Sequence, residues 1–128
     1  MRTISVESQQ REQMIDITNL VQKSIDQNSD GICVVFTQHT TCGITINENA
    51  DPDVQSDMLG FLRDLIPQYH EEFKHFEHNS DAHIKSSLMG CSAMVPISRG
   101  NLMLGRWQGI CLCEFDGPRT RKVVVTVK

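Results

Sequence analysis

The segment Gly31 to Asp51, GICVVFTQHTTCGITINENAD, decides the fold. Its first part, Ile32 to Phe36, is continuously apolar and rich in β-branched residues, which predicts a central strand covered on both faces. Its later part, Cys42 to Asn47, alternates between apolar and polar residues, which predicts a strand with one polar face. Polar residues at His39 to Thr41 separate the two strands, so chemically useful side chains lie at strand ends.

The residues before this segment predict two short strands and a helix. The strands are expected within Thr3 to Thr18, on either side of a polar turn at Ser8 to Arg11. Leu20, Val21 and Ile25 recur at helical spacing, which predicts a helix that packs by one face.

The residues after the segment predict two further helices with a polar loop between them. Asp51 is the expected N-cap of the first, with Pro52 at its first position, and Pro67 ends it. Residues 68–79 lack periodicity and are expected to form a loop of the length that is often functional. A short helix is expected from Asp81.

The last third of the chain predicts strands that form a meander. The expected strands are Ala93 to Ile97, Leu102 to Leu104, Gln108 to Phe115 and Lys122 to Val127. Because the chain contains no internal repeat or linker, residues 1–128 are predicted to form one α+β domain with two or three helices.

Composition excludes several functional classes. The 128 residues carry 12 Lys+Arg against 16 Asp+Glu, a net charge of −4, which argues against a nucleic-acid partner because that affinity depends on basic residues. No apolar stretch reaches the roughly 20 residues needed to cross a bilayer, so neither a membrane partner nor a signal peptide is expected and the predicted location is cytoplasmic. The five cysteines contain no CxxC and are interpreted mainly as reduced core residues.

Two polar clusters are candidate sites. The first comprises Gln38 to Thr41 and Asn47 to Asp51, at the two ends of one strand. Alternatively, the threonines form a turn, Asp51 only caps its helix, and Asn47 and Glu48 are solvated. The second lies at a helix start, where unpaired N–H groups favour an anion. There the neutral form of His83 would be favoured, and Lys85 and Ser86 could reach phosphate oxygens. Alternatively, Asp81 is only an N-cap and Lys85 is an exposed helix residue.

The histidines suggest a metal site. Neutral imidazoles bind zinc and other transition metals, and His39, His75 and His83 are the preferred ligands. Their spacing matches no standard zinc motif.

The segment Gly105 to Gly109 forms a further cluster with Glu114. Strand alternation places Gln108 and Glu114 on one otherwise apolar face, where a carboxylate needs a partner. Trp107 is either a core anchor or the wall of a pocket.

Three segments together resemble the YjbQ family, also called the secondary thiamine-phosphate synthase family. They are QHTTCGITINENADPDVQSDM, NSDAHIKSSLMG and GRWQGICLCEFDGPR, at residues 38–58, 79–90 and 105–119. The resemblance covers essentially the whole chain. It implies two packed, mostly antiparallel β-sheets with two to three helices, assembled as a homotrimer with clefts shared between subunits, and a histidine-containing site able to hold a divalent metal, zinc or magnesium.

The resemblance also implies an activity and a set of residues. The activity joins an aminopyrimidine-methyl diphosphate to thiazole phosphate with loss of pyrophosphate, so the expected partner is a phosphorylated small molecule. The alternatives are a metal- or phosphometabolite-binding protein and a metal-assisted phosphohydrolase. The expected catalytic residues are His39, His83, Glu48 and Glu114. The expected substrate- and phosphate-binding residues are Thr40, Asn47, Asp51, Lys85, Ser86, Arg106, Trp107 and Gln108.

The chain departs from the family pattern at two positions. Arg106 stands where the family usually has Thr, and it adds a positive charge beside the expected pocket. His78 stands where the family often has Gly, and it adds a further candidate ligand to the loop.

Overall fold

The computed structural model describes residues 1–128 as eight strands and three helices. The strands are β1 (Arg2–Glu7), β2 (Gln13–Asp16), β3 (Gly31–Thr37), β4 (Cys42–Glu48), β5 (Ser92–Ser98), β6 (Asn101–Leu102), β7 (Gln108–Glu114) and β8 (Thr120–Val127). The helices are α1 (Thr18–Lys23), α2 (Pro52–Leu65) and α3 (Ser80–Met89). None of the helices combines the length and apolar character that crossing a bilayer requires.

The strands form two antiparallel sheets. Sheet A has the order β1-β8-β3-β5-β6, and sheet B has the order β2-β7-β4. The α+β class with two antiparallel sheets is therefore confirmed, and so is the central position of β3. The predicted meander is wrong, because β7 lies in sheet B while β6 and β8 lie in sheet A. Strand alternation encodes which residues face inward but not which sheet a strand joins.

The molecule has three layers: sheet A, sheet B and a layer formed by α2 and α3. Ile110 and Leu112 of β7 belong to the core between the sheets. Cys111 and Cys113 of the same strand face the other way and pack beneath α2 and α3. Burial raises the pKa of Cys111 to about 11 and that of Cys113 to about 12, so both behave as small apolar core residues. Cys33 and Cys42 are also buried, and Cys91 is exposed.

The outer face of sheet A is uncovered in a single chain. Both α2 and α3 pack against sheet B, so no helix covers the outward side chains of β3. Ile32 is 47% exposed, Phe36 is 39% exposed, and the neighbouring Met94 of β5 is 69% exposed. The expectation that β3 is covered on both faces is therefore wrong for one chain.

The helix α2 begins as predicted. The Asp51 carboxylate accepts a hydrogen bond from the Asp53 amide at 2.9 Å, and Pro52 is the first helical residue. No residue of α2 is fully buried, and Phe61 and Leu65 are largely exposed. This helix thus covers sheet B with only part of its surface.

Candidate functional site

His39 and His83 line one cleft. Thr40, Ser86 and Cys91 also line this open cleft of about 500 Å³, which we call the histidine cleft. Its remaining lining residues are Cys42, Ser87 and Gly90. The structure thus brings together His39, Thr40, His83 and Ser86, four of the predicted site residues. Hydroxyls and imidazoles suit hydrogen bonding to a small polar ligand.

The cleft exists because α3 ends close against β4. The Ile44 amide donates to the Gly90 carbonyl at 3.0 Å. A Cβ at Gly43 would lie 2.7 Å from Cβ of Met89, so only glycine permits this approach. The close contact places His83 and Ser86 of α3 beside the residues that precede β4.

The segment from His39 to Thr41 is held by hydrogen bonds to β8. The backbone amide of Lys122 donates to Nε2 of His39 at 3.0 Å. Nη2 of Arg121 donates to the Thr41 carbonyl at 3.1 Å and to its Oγ1 at 2.8 Å. Thr37 Oγ1 accepts from the His39 amide at 3.2 Å. These contacts fix the position of the His39 ring.

Glu114 is fully buried and does not line the histidine cleft. It accepts hydrogen bonds from Nε of Arg121 at 2.9 Å, from Ser8 Oγ at 2.7 Å and from the Asp116 amide at 3.1 Å. Burial alone would raise its pKa, but hydrogen bonds from Arg121 and Ser8 lower the pKa below its ordinary value. The need for a buried partner is confirmed, and Arg121 is that partner. The predicted catalytic role of Glu114 does not fit, because no side-chain surface remains for a substrate.

Lys85 is also buried, contrary to both sequence interpretations. Its Nζ lies 2.9 Å from Oδ2 of Asp81 and 3.0 Å from Oε2 of Glu12. Arg11 donates two further hydrogen bonds to the Asp81 carboxylate. Lys85 is therefore neither an exposed helix residue nor a phosphate ligand. Asp81 does not cap α3, because its carboxylate forms ion pairs with Arg11 and Lys85.

His75 approaches His83 from the polar loop. Their ring centroids are 5.7 Å apart at an angle of 79°. A second cavity, lined by both rings together with Ser80 and Phe73, lies along this contact. His83 thus lines both the histidine cleft and this second cavity.

The three predicted metal ligands do not fit a metal site within one chain. The Lys122 amide already donates to Nε2 of His39, so that nitrogen has no lone pair left for a metal. No three His, Cys, Asp or Glu side chains are grouped so that they could hold a metal ion.

Asp51 caps α2, and the other predicted site residues lie around the far end of β4. We call Asn47, Glu48, Arg106, Trp107 and Gln108 the distal group. The strand β4 is seven residues long, so the distal group at its far end lies roughly 20 Å from the histidine cleft. Glu48 pairs with Gln108 across β4 and β7, and the Arg106 guanidinium lies 4.8 Å from the Trp107 ring centroid. One chain therefore does not bring the distal group to the histidines.

Two structural residues escaped the sequence analysis. Arg121 shares the inward face of β8 with Val123 and Val125, so the alternation that identified Glu114 would also have identified Arg121. Glu12 lies in a polar turn and accepts a hydrogen bond from Lys85, and no sequence pattern predicts this contact. The backbone contact from Lys122 to His39 likewise has no sequence signal.

Ser86 offers a direct test of the cleft. Its hydroxyl is buried without a hydrogen-bond partner, an arrangement that costs stability unless a ligand fills it. We expect Ser86→Ala to raise the unfolding free energy by about 1 kcal/mol, because it removes an unpaired buried hydroxyl. Urea denaturation measures this, with Ser87→Ala as the control, since the Ser87 hydroxyl is paired with the His83 carbonyl. A lower stability of Ser86→Ala would contradict the expectation.

Comparison with known proteins places this chain among close relatives. A family model described as UPF0047 protein YjbQ-like matches residues 2–128. A UPF0047 protein of Methanocaldococcus jannaschii is 50% identical over 124 residues, covering 95% of this chain and 89% of that protein. The UPF0047 protein YugU of Bacillus subtilis is 47% identical over 123 residues, covering 94% and 93%.

Solved structures show the same fold. A protein of the YjbQ/UPF0047 family from Clostridium acetobutylicum superposes with a TM-score of 0.96 at 53% identity, covering all of both chains. A conserved hypothetical protein from Thermus thermophilus superposes with a TM-score of 0.95 at 40% identity, again over both full chains. The arrangement of two sheets and three helices is therefore common to these proteins.

Proposed function

This chain belongs to the UPF0047 YjbQ-like family, and we propose that its histidine cleft binds phosphorylated small molecules and catalyses a transfer of the thiamine-phosphate synthase type. The observation that supports this most is the convergence of His39, Thr40, His83 and Ser86 on one cleft. These side chains come from two distant parts of the sequence. Each offers a polar hydrogen that can meet a phosphate oxygen.

The proposed reaction breaks one bond and forms one bond. The bond between the methylene carbon and the diphosphate oxygen of the aminopyrimidine substrate breaks, and pyrophosphate leaves with the electron pair. The ring nitrogen of thiazole phosphate supplies the electron pair for the new bond to that carbon. Hydrogen-bond donors fixed at the leaving pyrophosphate lower the barrier, because negative charge grows there in the transition state. We assign this task to His39, His83 and Ser86.

A second subunit supplies the other half of the proposed site. The uncovered apolar face of sheet A, with Ile32, Phe36 and Met94, favours assembly, and we propose a homotrimer. In a closed ring, each interface joins unlike surfaces of neighbouring chains. We propose that these unlike surfaces bring the distal group of one chain to the histidine cleft of the next.

The distal group has the chemistry that the carbon centre requires. The carboxylate of Glu48 would stabilise the positive charge that develops on the methylene carbon. Trp107 is 54% exposed, so its indole ring is free to stack on a heteroaromatic ring. A zinc or magnesium ion bound between subunits stays a prediction that no contact within one chain supports.

The experiment is an assay of the purified protein with both phosphorylated precursors. We expect His83→Ala to lower the rate by about 100-fold, because a positioned hydrogen-bond donor is lost from the leaving-group site. His70→Ala is the matched control, since His70 lies in the exposed loop outside the histidine cleft. Unchanged activity of His83→Ala would contradict the proposal. Tight binding of both precursors without product would favour a binding protein.

A further inference from the structure

One ring nitrogen of His39 accepts a hydrogen bond from the backbone. The Lys122 backbone amide donates to Nε2 at 3.0 Å. This bond extends the hydrogen bonding of β8 beyond the last β3–β8 residue pair, Thr37 and Val123. Because an amide N–H can only donate, Nε2 must be the unprotonated nitrogen. The neutral ring therefore carries its proton on Nδ1.

We propose that His39 is an uncharged hydrogen-bond donor, which presents Nδ1–H to an anionic phosphate oxygen and does not ligate a metal. A metal on Nδ1 would require a proton on Nε2, where the Lys122 amide already points. Nδ1 makes no hydrogen bond within the chain, so it is the ring nitrogen that a ligand in the cleft can use. Only the class of ligand rests on the proposed function.

Ser86 is a second, independent sign of a ligand at the same place. It lines the cleft with His39 and is only 7% exposed, yet its hydroxyl has no partner. Buried hydroxyls in folded proteins are otherwise hydrogen-bonded. The Ser86 hydroxyl and Nδ1–H of His39 are both uncharged donors, and a phosphate oxygen accepts hydrogen bonds from donors of this kind.

The surroundings of His39 favour its neutral form. Burial lowers the pKa of His39, and the positive charges of Arg121 and Arg119 lower it further, while Glu114 opposes them. This direction agrees with the Lys122 contact, which requires a ring that donates at one nitrogen only. The same Arg121 holds the neighbouring Thr41.

The tautomer is measured directly by two-bond ¹H–¹⁵N correlation in protein labelled with ¹⁵N-histidine. We expect Nδ1 of His39 to resonate as protonated and Nε2 as unprotonated in the free protein. Zn²⁺ is expected to leave both His39 nitrogens unshifted. A protonated Nε2, or a shift of the His39 nitrogens with Zn²⁺, would overturn the inference. These readouts need no substrate and so do not depend on the proposed function.

Two substitutions separate the two nitrogens. His39→Gln keeps an oxygen that accepts from the Lys122 amide but loses the donor at the Nδ1 position. His39→Asn keeps an N–H near that position but loses the acceptor. Calorimetry with inorganic pyrophosphate should show about tenfold weaker binding for His39→Gln and a smaller loss for His39→Asn. Equal binding by His39→Gln and the unsubstituted protein, or no binding by the latter, would contradict the phosphate assignment.

Discussion

Glu114→Ala is expected to lower the unfolding free energy by about 3–5 kcal/mol, because it leaves the Arg121 guanidinium buried without its counter-charge. Arg121 is 1% exposed and Glu114 is 0% exposed. The two residues join β8 of sheet A to β7 of sheet B. Urea denaturation at neutral pH measures the loss. A decrease below about 1 kcal/mol would contradict this view of the pair.

A double substitution is the control for Glu114→Ala. When Arg121→Leu is combined with Glu114→Ala, no buried charge remains, and part of the lost stability should return despite the smaller side chains. The Thr41 contacts of Arg121 are lost in the double variant. The histidine cleft should therefore be less ordered even where stability recovers, which the ¹⁵N-histidine spectrum of His39 reports.

Asp81→Ala is expected to cost about 3 kcal/mol at neutral pH, because Lys85 keeps only Glu12 as a partner inside the protein. Arg11 also loses the carboxylate to which it donates two hydrogen bonds. The exposed Asp64 of the same charge is the matched control, and Asp64→Ala should change stability by less than about 0.5 kcal/mol. Equal effects of the two substitutions would contradict the expectation.

The cost of Asp81→Ala should depend on pH in a definite direction. Burial alone would raise the pKa of Asp81, but hydrogen bonds from Arg11 and Lys85 lower it below its ordinary value. A carboxyl with a lowered folded-state pKa stabilises the protein above its unfolded pKa, about 3.9. That stabilisation is lost as the pH falls through the folded-state pKa. The difference between the unsubstituted protein and Asp81→Ala should therefore shrink below about pH 4 in urea titrations.

Local patterns predicted most of the fold. The apolar run at β3, the alternation of β4 and the cap at Asp51 each depend on a few neighbouring residues, and all three elements are confirmed. Membership of a sheet depends on distant pairing, so β7 was assigned to the wrong neighbours. The open face of β3 was also missed, because the same apolar run is expected whether a helix or another chain covers it.

The candidate site was predicted less completely, for two physical reasons. Lys85 follows Asp81 by one helical turn, a spacing typical of exposed ion pairs, and only the packing of α3 shows that the pair is buried. The polar residues at the two ends of β4 are close in the sequence, but the strand separates them by roughly 20 Å. A sequence reports which residues are polar, whereas their distances require the fold and the assembly.

We propose that one active site combines the histidine cleft of one subunit with the distal group of its neighbour. The most direct test mixes His83→Ala chains with Glu48→Gln chains, refolds them together and measures transferase activity. Random mixing in equal amounts should restore activity to about one quarter of the unsubstituted value. Each interface has an intact histidine cleft in half of the cases and, independently, an intact distal group in half of the cases. Light scattering should give three times the chain mass. His83→Ala mixed with His39→Gln, both in the same half, should restore none. Activity of the first mixture equal to the average of its separate components would contradict the claim.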